Sequence, residues 1–294
     1  MERSYHIPVL VHEVVEQLRP LAGGVYVDVT FGGGGHTEAL LRAEPGCRVI
    51  ACDWDEQALR LNAPRLEALF PGRLTIIWTN FARLSYQLKE HKIGKVNGIL
   101  ADFGTSQYQI KESKGFSFAI ESALDMRMSP AHQQVTAAHI VNQSTPEELL
   151  HILWEYGEER FARQIVQAIV AVRKIAPLTT TTMLAELIEG VVPRAGSRIH
   201  PATKTFQALR MVVNKELENI KALLARSADL LVPGGRFAAI SFHSGEDRLV
   251  KHFFNDNKAT WNVITKHPIT ASHEERELNP SSRSAKLRVA ERRS

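Results

Sequence analysis

The run Asp28-Val29-Thr30-Phe31-Gly32-Gly33-Gly34-Gly35-His36 sets four consecutive glycines between a short apolar segment and a helical one. Glycines so placed let the backbone approach a ligand closely. A plain tight turn does not account for them, because four in a row carry a conformational-entropy cost that a turn does not require. The dinucleotide fingerprint G-x-G-x-x-G fails as well: counted from Gly32 its third glycine is Thr37, and counted from Gly33 it is Glu38. What remains is a pocket for an adenosine or amino-acid moiety without a pyrophosphate, of the kind S-adenosylmethionine enzymes use.

Further polar positions follow later apolar segments. Asp53 is placed to accept hydrogen bonds from ribose hydroxyls. Its plain alternative is to cap the helix that starts near Glu56, and the glycine loop before it favours ribose. Phe81 is placed to pack on an adenine face, although core packing is the default for one aromatic taken alone. Asp102 opens Asp102-Phe103-Gly104-Thr105-Ser106, where amino-methyltransferases hold the target nitrogen, but the D/N/S-P-P-aromatic motif of many of them is absent. Asp102 suits the cofactor's ammonium group or the target amine, and otherwise caps a turn. The Thr105 and Ser106 hydroxyls are neighbouring acceptors. His243, within Ser241-Phe242-His243-Ser244-Gly245-Glu246-Asp247-Arg248, falls at the same edge. A Ser-His-Asp hydrolase lacks support, since there is no G-x-S-x-G elbow and the three residue types crowd too closely in sequence.

These positions imply a scaffold. Apolar segments at 25–29, 48–52, 74–78 and 98–101 alternate with helical patterns at 37–43 and 56–69, the signature of a parallel sheet with a site at the strands' C-terminal edge. After Asp102 the alternation stops for about a hundred residues. Thr145-Pro146-Glu147-Glu148 starts a helix there through a capping box, and a second starts near Thr182. Phe206, Leu209, Val213, Leu217, Ile220 and Leu224 step by three and four along what reads as one long helix back to the sheet. A turn at Val232-Pro233-Gly234-Gly235, a strand at 236–242, a helix at 246–254 and last strands at 261–264 and 285–289 follow.

With 294 residues, 44% hydrophobic and 23% charged, the chain has the composition of a soluble globular protein of one or two domains. The net charge of +4 is compatible with nucleic acid and decides nothing alone. Cys47 and Cys52 lack CxxC spacing or a neighbouring histidine cluster, so neither a disulfide framework nor a metal site is expected, and the natural compartment is the cytoplasm. No export signal and no apolar run near the length of a membrane span is expected.

The residues then resemble a known family, the S-adenosylmethionine-dependent RsmH (MraW) methyltransferases that modify 16S ribosomal RNA. The resemblance runs nearly end to end. It is carried by His6-Ile7-Pro8-Val9-Leu10, Gly34-Gly35-His36, Gly115-Phe116-Ser117-Phe118, Leu124-Asp125-Met126-Arg127-Met128 and Tyr156-Gly157-Glu158-Glu159-Arg160-Phe161. It continues through His200-Pro201-Ala202-Thr203-Lys204-Thr205-Phe206, Pro233-Gly234-Gly235-Arg236, Ser241-Phe242-His243-Ser244 and Arg283-Ser284-Ala285-Lys286-Leu287-Arg288. The chain departs from the usual pattern mainly at Thr105 to Ile110, where the proline before the glutamine is lost, at Glu121-Ser122-Ala123, at Lys204 and at Gly245.

The resemblance implies an α/β fold, a class I methyltransferase (Rossmann-like) doubly wound sheet with an inserted helical substrate-recognition domain. The expected division is residues 1–106 and 205–294 for the sheet domain and 107–204 for the insertion. It implies methylation of the exocyclic N4 amine of a cytidine, position 1402, in the decoding centre of 16S rRNA within the small ribosomal subunit. By matching positions, the cofactor contacts fall on Gly34, Gly35, His36, Asp53, Phe81, Asp102 and Gln109. Asp102, Thr105 or Ser106 is the expected acceptor for the amine, with His243 as a helper. Candidates to hold the RNA backbone are Arg127, Arg160, Arg194, Arg198, Lys204, Arg210, Arg283, Lys286 and Arg288, although each alone is more simply a solvated charge and Arg127 and Arg160 are equally ion-pair partners. Monomer and homodimer are both open. So, on the residues alone, are a methyltransferase of another amino or small-molecule substrate and an RNA-binding protein on a vestigial cofactor fold.

Overall fold

The computed structural model describes residues 7–104, 115–193 and 200–294. Contacts divide the chain into two units, one formed by residues 1–104 with 217–294 and the other by 105–216.

The first unit is built on eight strands: β1 (Val25–Asp28), β2 (Arg48–Asp53), β3 (Leu74–Trp78), β4 (Val96–Asp102), β5 (Leu231–Ser241), β6 (Trp261–Val263), β7 (Ile269–Thr270) and β8 (Lys286–Arg292). Their order is β3-β2-β1-β4-β5-β8-β6, with β7 also paired to β8. The first five are mutually parallel, and β8 runs antiparallel to β5. Side chains alternate between two cores. Tyr26, Leu100, Ala238 and Ile240 face one, while Val27, Ile99, Phe237 and Ala239 face the other. Helices α1 (Val11–Leu18), α2 (Gly35–Ala43), α3 (Glu56–Leu69), α4 (Leu84–Glu90), α10 (Glu216–Leu230), α11 (Ser244–Asp256) and α12 (His273–Leu278) accompany this sheet. A sheet buried on both faces explains why its central strands are nearly continuous apolar runs. The Val232-Pro233-Gly234-Gly235 turn lies inside β5, where the register jumps from Val96 opposite Leu231 to Gly98 opposite Arg236.

The second unit is helical around its own core. It contains α5 (Ala137–Gln143), α6 (Pro146–Glu155), α7 (Ala162–Arg173), α8 (Thr181–Val191) and α9 (Thr203–Val213), with one isolated bridge between Ala123 and Thr180. Leu149, Leu153, Ile165, Ile169, Leu184 and Leu209 meet in its interior. Both halves of the capping box at Thr145 and Glu148 form, at 3.2 and 2.8 Å.

The single long helix read from residues 206–224 is corrected to two, α9 and α10. The apolar steps of three and four continue through the break, so periodicity could not reveal it. At the break Lys215 takes φ 51°, and the Asn214 side chain turns inward. Its amide donates to the Met126 carbonyl at 2.8 Å and its oxygen accepts from Met128 N–H at 2.8 Å. For the same reason the unit boundary lies at 216/217 rather than 204/205, because Phe206, Ala208, Leu209 and Val213 belong to the helical core. Cys47 and Cys52 are free and buried, and burial pushes both thiols upward. Among the described residues, no helix is long and apolar enough to cross a membrane.

Candidate active site

Asp28, Asp53 and Asp102 each end a parallel strand, at β1, β2 and β4, so the register brings all three to one sheet edge. Asp28 is fully buried and organises the loop after it. One carboxylate oxygen accepts from Thr30 N–H at 3.1 Å and the other from the Thr37 hydroxyl at 2.7 Å. Burial pushes this carboxyl up, opposed by neighbouring His36 and by the Thr37 hydrogen bond.

The glycines are required by shape. Gly34 caps α2 at φ 77°, and a Cβ there would lie 2.5 Å from Leu66 Cδ1 and 3.0 Å from the Phe31 ring. A Cβ on Gly35 would lie 2.5 Å from the ring of Pro8. Loop and helix start are thus packed against their surroundings, while the first turn of α2 has backbone N–H groups without intrahelical partners.

Asp53 fastens this loop. One oxygen accepts from Gly32 N–H at 2.7 Å and the other from Asp55 N–H at 2.8 Å. Burial pushes its carboxyl up to about 7, opposed by these two donors. A carboxylate has about four acceptor positions, so two remain for a ligand diol. The helix-capping alternative for Asp53 is taken by Asp55, which accepts from Gln57 and Ala58 N–H at the start of α3. Phe81 is half-buried with its ring 5.9 Å from that of Phe103, and packs against the core on the side of α4.

Asp102 is stitched to the same loop, its N–H donating to the Thr30 hydroxyl at 2.7 Å. Its carboxylate lies 3.5 Å from Nε2 of His36. That separation is too long for a well-formed hydrogen bond, and both ring nitrogens of the buried His36 lack a partner among the described residues. Gly104 follows under the Phe242 ring, where a Cβ would come within 2.4 Å. Thr105, Ser106 and Gln109 lie outside the described residues.

His243 stands at the end of β5 and caps α11. Its Nδ1 accepts from Gly245 N–H at 3.2 Å and Glu246 N–H at 3.4 Å, and its Nε2 lies 3.0 Å from the Glu246 carboxylate. The structure therefore gives this ring a positioning task in the strand-to-helix turn.

Of the basic candidates, Arg127 forms a two-point pair with Asp125 at 2.6 and 2.8 Å, Arg210 with Glu216 at 2.8 and 3.0 Å, and Arg288 with Asp247 at 2.6 and 3.2 Å. The ion-pair reading holds for Arg127. Arg160 is exposed over the Phe161 ring, Lys204 donates to the Glu158 carbonyl, Arg283 is exposed, and Lys286 lies 3.8 Å from Asp247. Arg194 and Arg198 lie outside the described residues.

Sequence reasoning missed two supports. The Asn62 amide, from α3, donates to the Gly32 carbonyl at 2.9 Å. A polar residue on a buried helix stripe was the available signal. The buried Glu246 carboxylate accepts from Phe242 N–H at 2.8 Å, a Glu at the third helical position that its capping box made legible.

A parallel sheet in this strand order with an antiparallel β8, a glycine loop after β1, and acids ending β2 and β4 defines a class I S-adenosylmethionine-dependent methyltransferase. The chain belongs to the MraW methylase family, whose model matches residues 3–293. It is 44% identical over 310 residues to ribosomal RNA small subunit methyltransferase H of Heliobacterium mobile, covering 98% of this chain and 99% of the relative. The protein of the same name from Desulfotalea psychrophila is 45% identical over 291 residues, covering 98% of each.

Proposed function

We propose that this protein transfers the methyl group of S-adenosylmethionine to the exocyclic N4 amine of cytidine 1402 in 16S rRNA, within the small ribosomal subunit. The observation that carries the reading is 44–45% identity over nearly the full length to proteins named for small-subunit rRNA methylation, joined to the acids that end β1, β2 and β4 at one sheet edge.

The residues fit the cofactor. Gly34, Gly35 and the open N–H groups of α2 suit its amino-acid end, Asp53 its ribose hydroxyls and Phe81 its adenine. The unpartnered ring of His36 supplies a buried donor or acceptor beside Asp102. Gln109 is a further contact by family position. When bound, S-adenosylmethionine supplies an activated methyl group on a good leaving group.

The chain must then make a poor nucleophile react, since the N4 lone pair is delocalised into the cytosine ring. Asp102 accepts a hydrogen bond from the amine, orients it and draws on its N–H bond, with Thr105 or Ser106 as the alternative acceptor. His243 contributes by holding the β5-to-α11 turn. The target base has to leave its stack to reach this edge, and the helical unit is the substrate-recognition part that receives the RNA.

The test is mass spectrometry of ribonuclease-generated oligonucleotides, with nucleoside analysis of the fragment, from small subunits of a strain lacking the protein, before and after incubation with purified enzyme and S-adenosylmethionine. The expected result is gain of an N4-methyl group at cytidine 1402. Modification elsewhere, or none, overturns the assignment.

A further inference from the structure

A basic cleft lies along the sheet from the glycine loop, at the β6 edge. Edge strand β6, the end of β8 and helix α11 enclose a cleft of about 370 Å³. Lys251, Lys258, Lys266, Arg288 and Arg293 line it, and no carboxylate does among the described residues. Asp247 neutralises Arg288 through its two-point pair. The four cations left make this concavity locally positive, and its walls focus the potential outward.

The cleft is built rather than incidental. Its floor includes Phe254 and Trp261, both buried, with ring centroids 5.2 Å apart. Arg293 is pinned by Nε donating to the carbonyls of Lys258 at 2.9 Å and Trp261 at 3.4 Å, which leaves its terminal nitrogens available. Arg288 is fixed by Asp247, while Lys251, Lys258 and Lys266 are exposed around the opening. One oriented guanidinium, that of Arg293, and three exposed ammonium groups spread around the opening match a run of phosphates rather than one small anion.

We infer that this cleft binds the phosphodiester backbone of the RNA substrate at a site separate from the catalytic edge. The inference rests on the proposed rRNA substrate and extends it. From β4, which carries Asp102, to β6 is three strand spacings, roughly 14 Å, so the cleft holds RNA backbone a few nucleotides away from the target base. It supplies affinity and register without reading sequence.

The probe is the small ribosomal subunit from a strain lacking the protein, with binding measured between roughly 50 and 200 mM salt. The triple variant Lys251→Gln/Lys258→Gln/Lys266→Gln is compared with Lys89→Gln/Lys92→Gln/Lys95→Gln, which removes the same charge from exposed lysines elsewhere. Calorimetry with S-adenosylmethionine verifies that both are folded. The cleft variant is expected to bind the subunit about tenfold or more weakly and to lower the slope of log affinity against log salt by ~2, while the control keeps the wild-type slope. An unchanged slope in the cleft variant, an equal loss in the control, or wild-type protein that does not bind the subunit overturns the inference. Wild-type protein that binds RNA through the cleft yet makes no N4-methylcytidine overturns the proposed function and leaves the cleft standing.

Discussion

The Asp53 carboxylate at the end of β2 accepts the N–H of Gly32 across 2.7 Å, so one acid holds the glycine loop while keeping acceptor positions for a ligand. Its removal therefore acts twice. Asp53→Ala should weaken S-adenosylmethionine binding by tenfold or more in calorimetry, because loop geometry and diol acceptor are lost together. Retained affinity would place the ribose elsewhere.

The same carboxyl sets a pH dependence. Burial holds it near 7 in the unliganded protein, and the ionised form is the one that accepts from two backbone N–H groups and a diol. Cofactor affinity should rise as pH increases through about 7, and Asp53→Asn should flatten the rise. Stability of the unliganded protein has the opposite sign. The folded value lies above the ordinary 3.8, so this group's contribution is full below about 4 and is lost as pH rises through 7. Urea denaturation at pH 5 and pH 8, wild type against Asp53→Asn, isolates that term.

Gly34 and Gly72 separate backbone strain from packing. Both have positive φ, at 77° and 72°, but a Cβ on Gly72 meets nothing within 4 Å whereas one on Gly34 strikes Leu66 and Phe31. Gly72→Ala should cost about 1 kcal/mol in denaturant unfolding. Gly34→Ala should cost about 2–4 kcal/mol, since overpacking adds to the strain. Equal losses would contradict the packing role.

His243 and a plain cap can be told apart by rescue. His243→Ala should lower stability by about 1 kcal/mol, and His243→Asn should recover most of it, because Asn accepts the same N–H groups at a helix start. Methyl transfer should follow the cap and recover with Asn. A variant that regains stability but not turnover would make His243 a participant in proton transfer.

Much of this arrangement was legible beforehand because it is local. Each parallel strand is an apolar run closed by a polar residue, so 74–78 coincides with β3 and the acids at 28, 53 and 102 fall on one edge. What was hidden depends on tertiary contacts. The break at Asn214 and Lys215 preserves helical spacing and is decided by a partner at Met126, 88 positions away. Asn62 reaches a loop 30 positions earlier, and Arg127, Arg210 and Arg288 look like RNA contacts until their carboxylates are seen. The lysines of the β6 cleft lie on segments with no motif, and only folding collects them.

Asp102 carries the chemical step in the proposed reaction, and its surroundings define the test. Its N–H is held by Thr30, so an isosteric Asp102→Asn change leaves the backbone anchor in place and alters only the side chain. At saturating cofactor, turnover should fall by about a hundredfold or more, the range in which a positioned acid or base acts. The Thr30→Val variant, which loses the anchor but keeps the carboxylate, should lose less turnover and more stability. Full turnover in Asp102→Asn would transfer the acceptor role to Thr105 or Ser106. Thr105→Val or Ser106→Ala would then have to show the loss of turnover that Asp102→Asn did not.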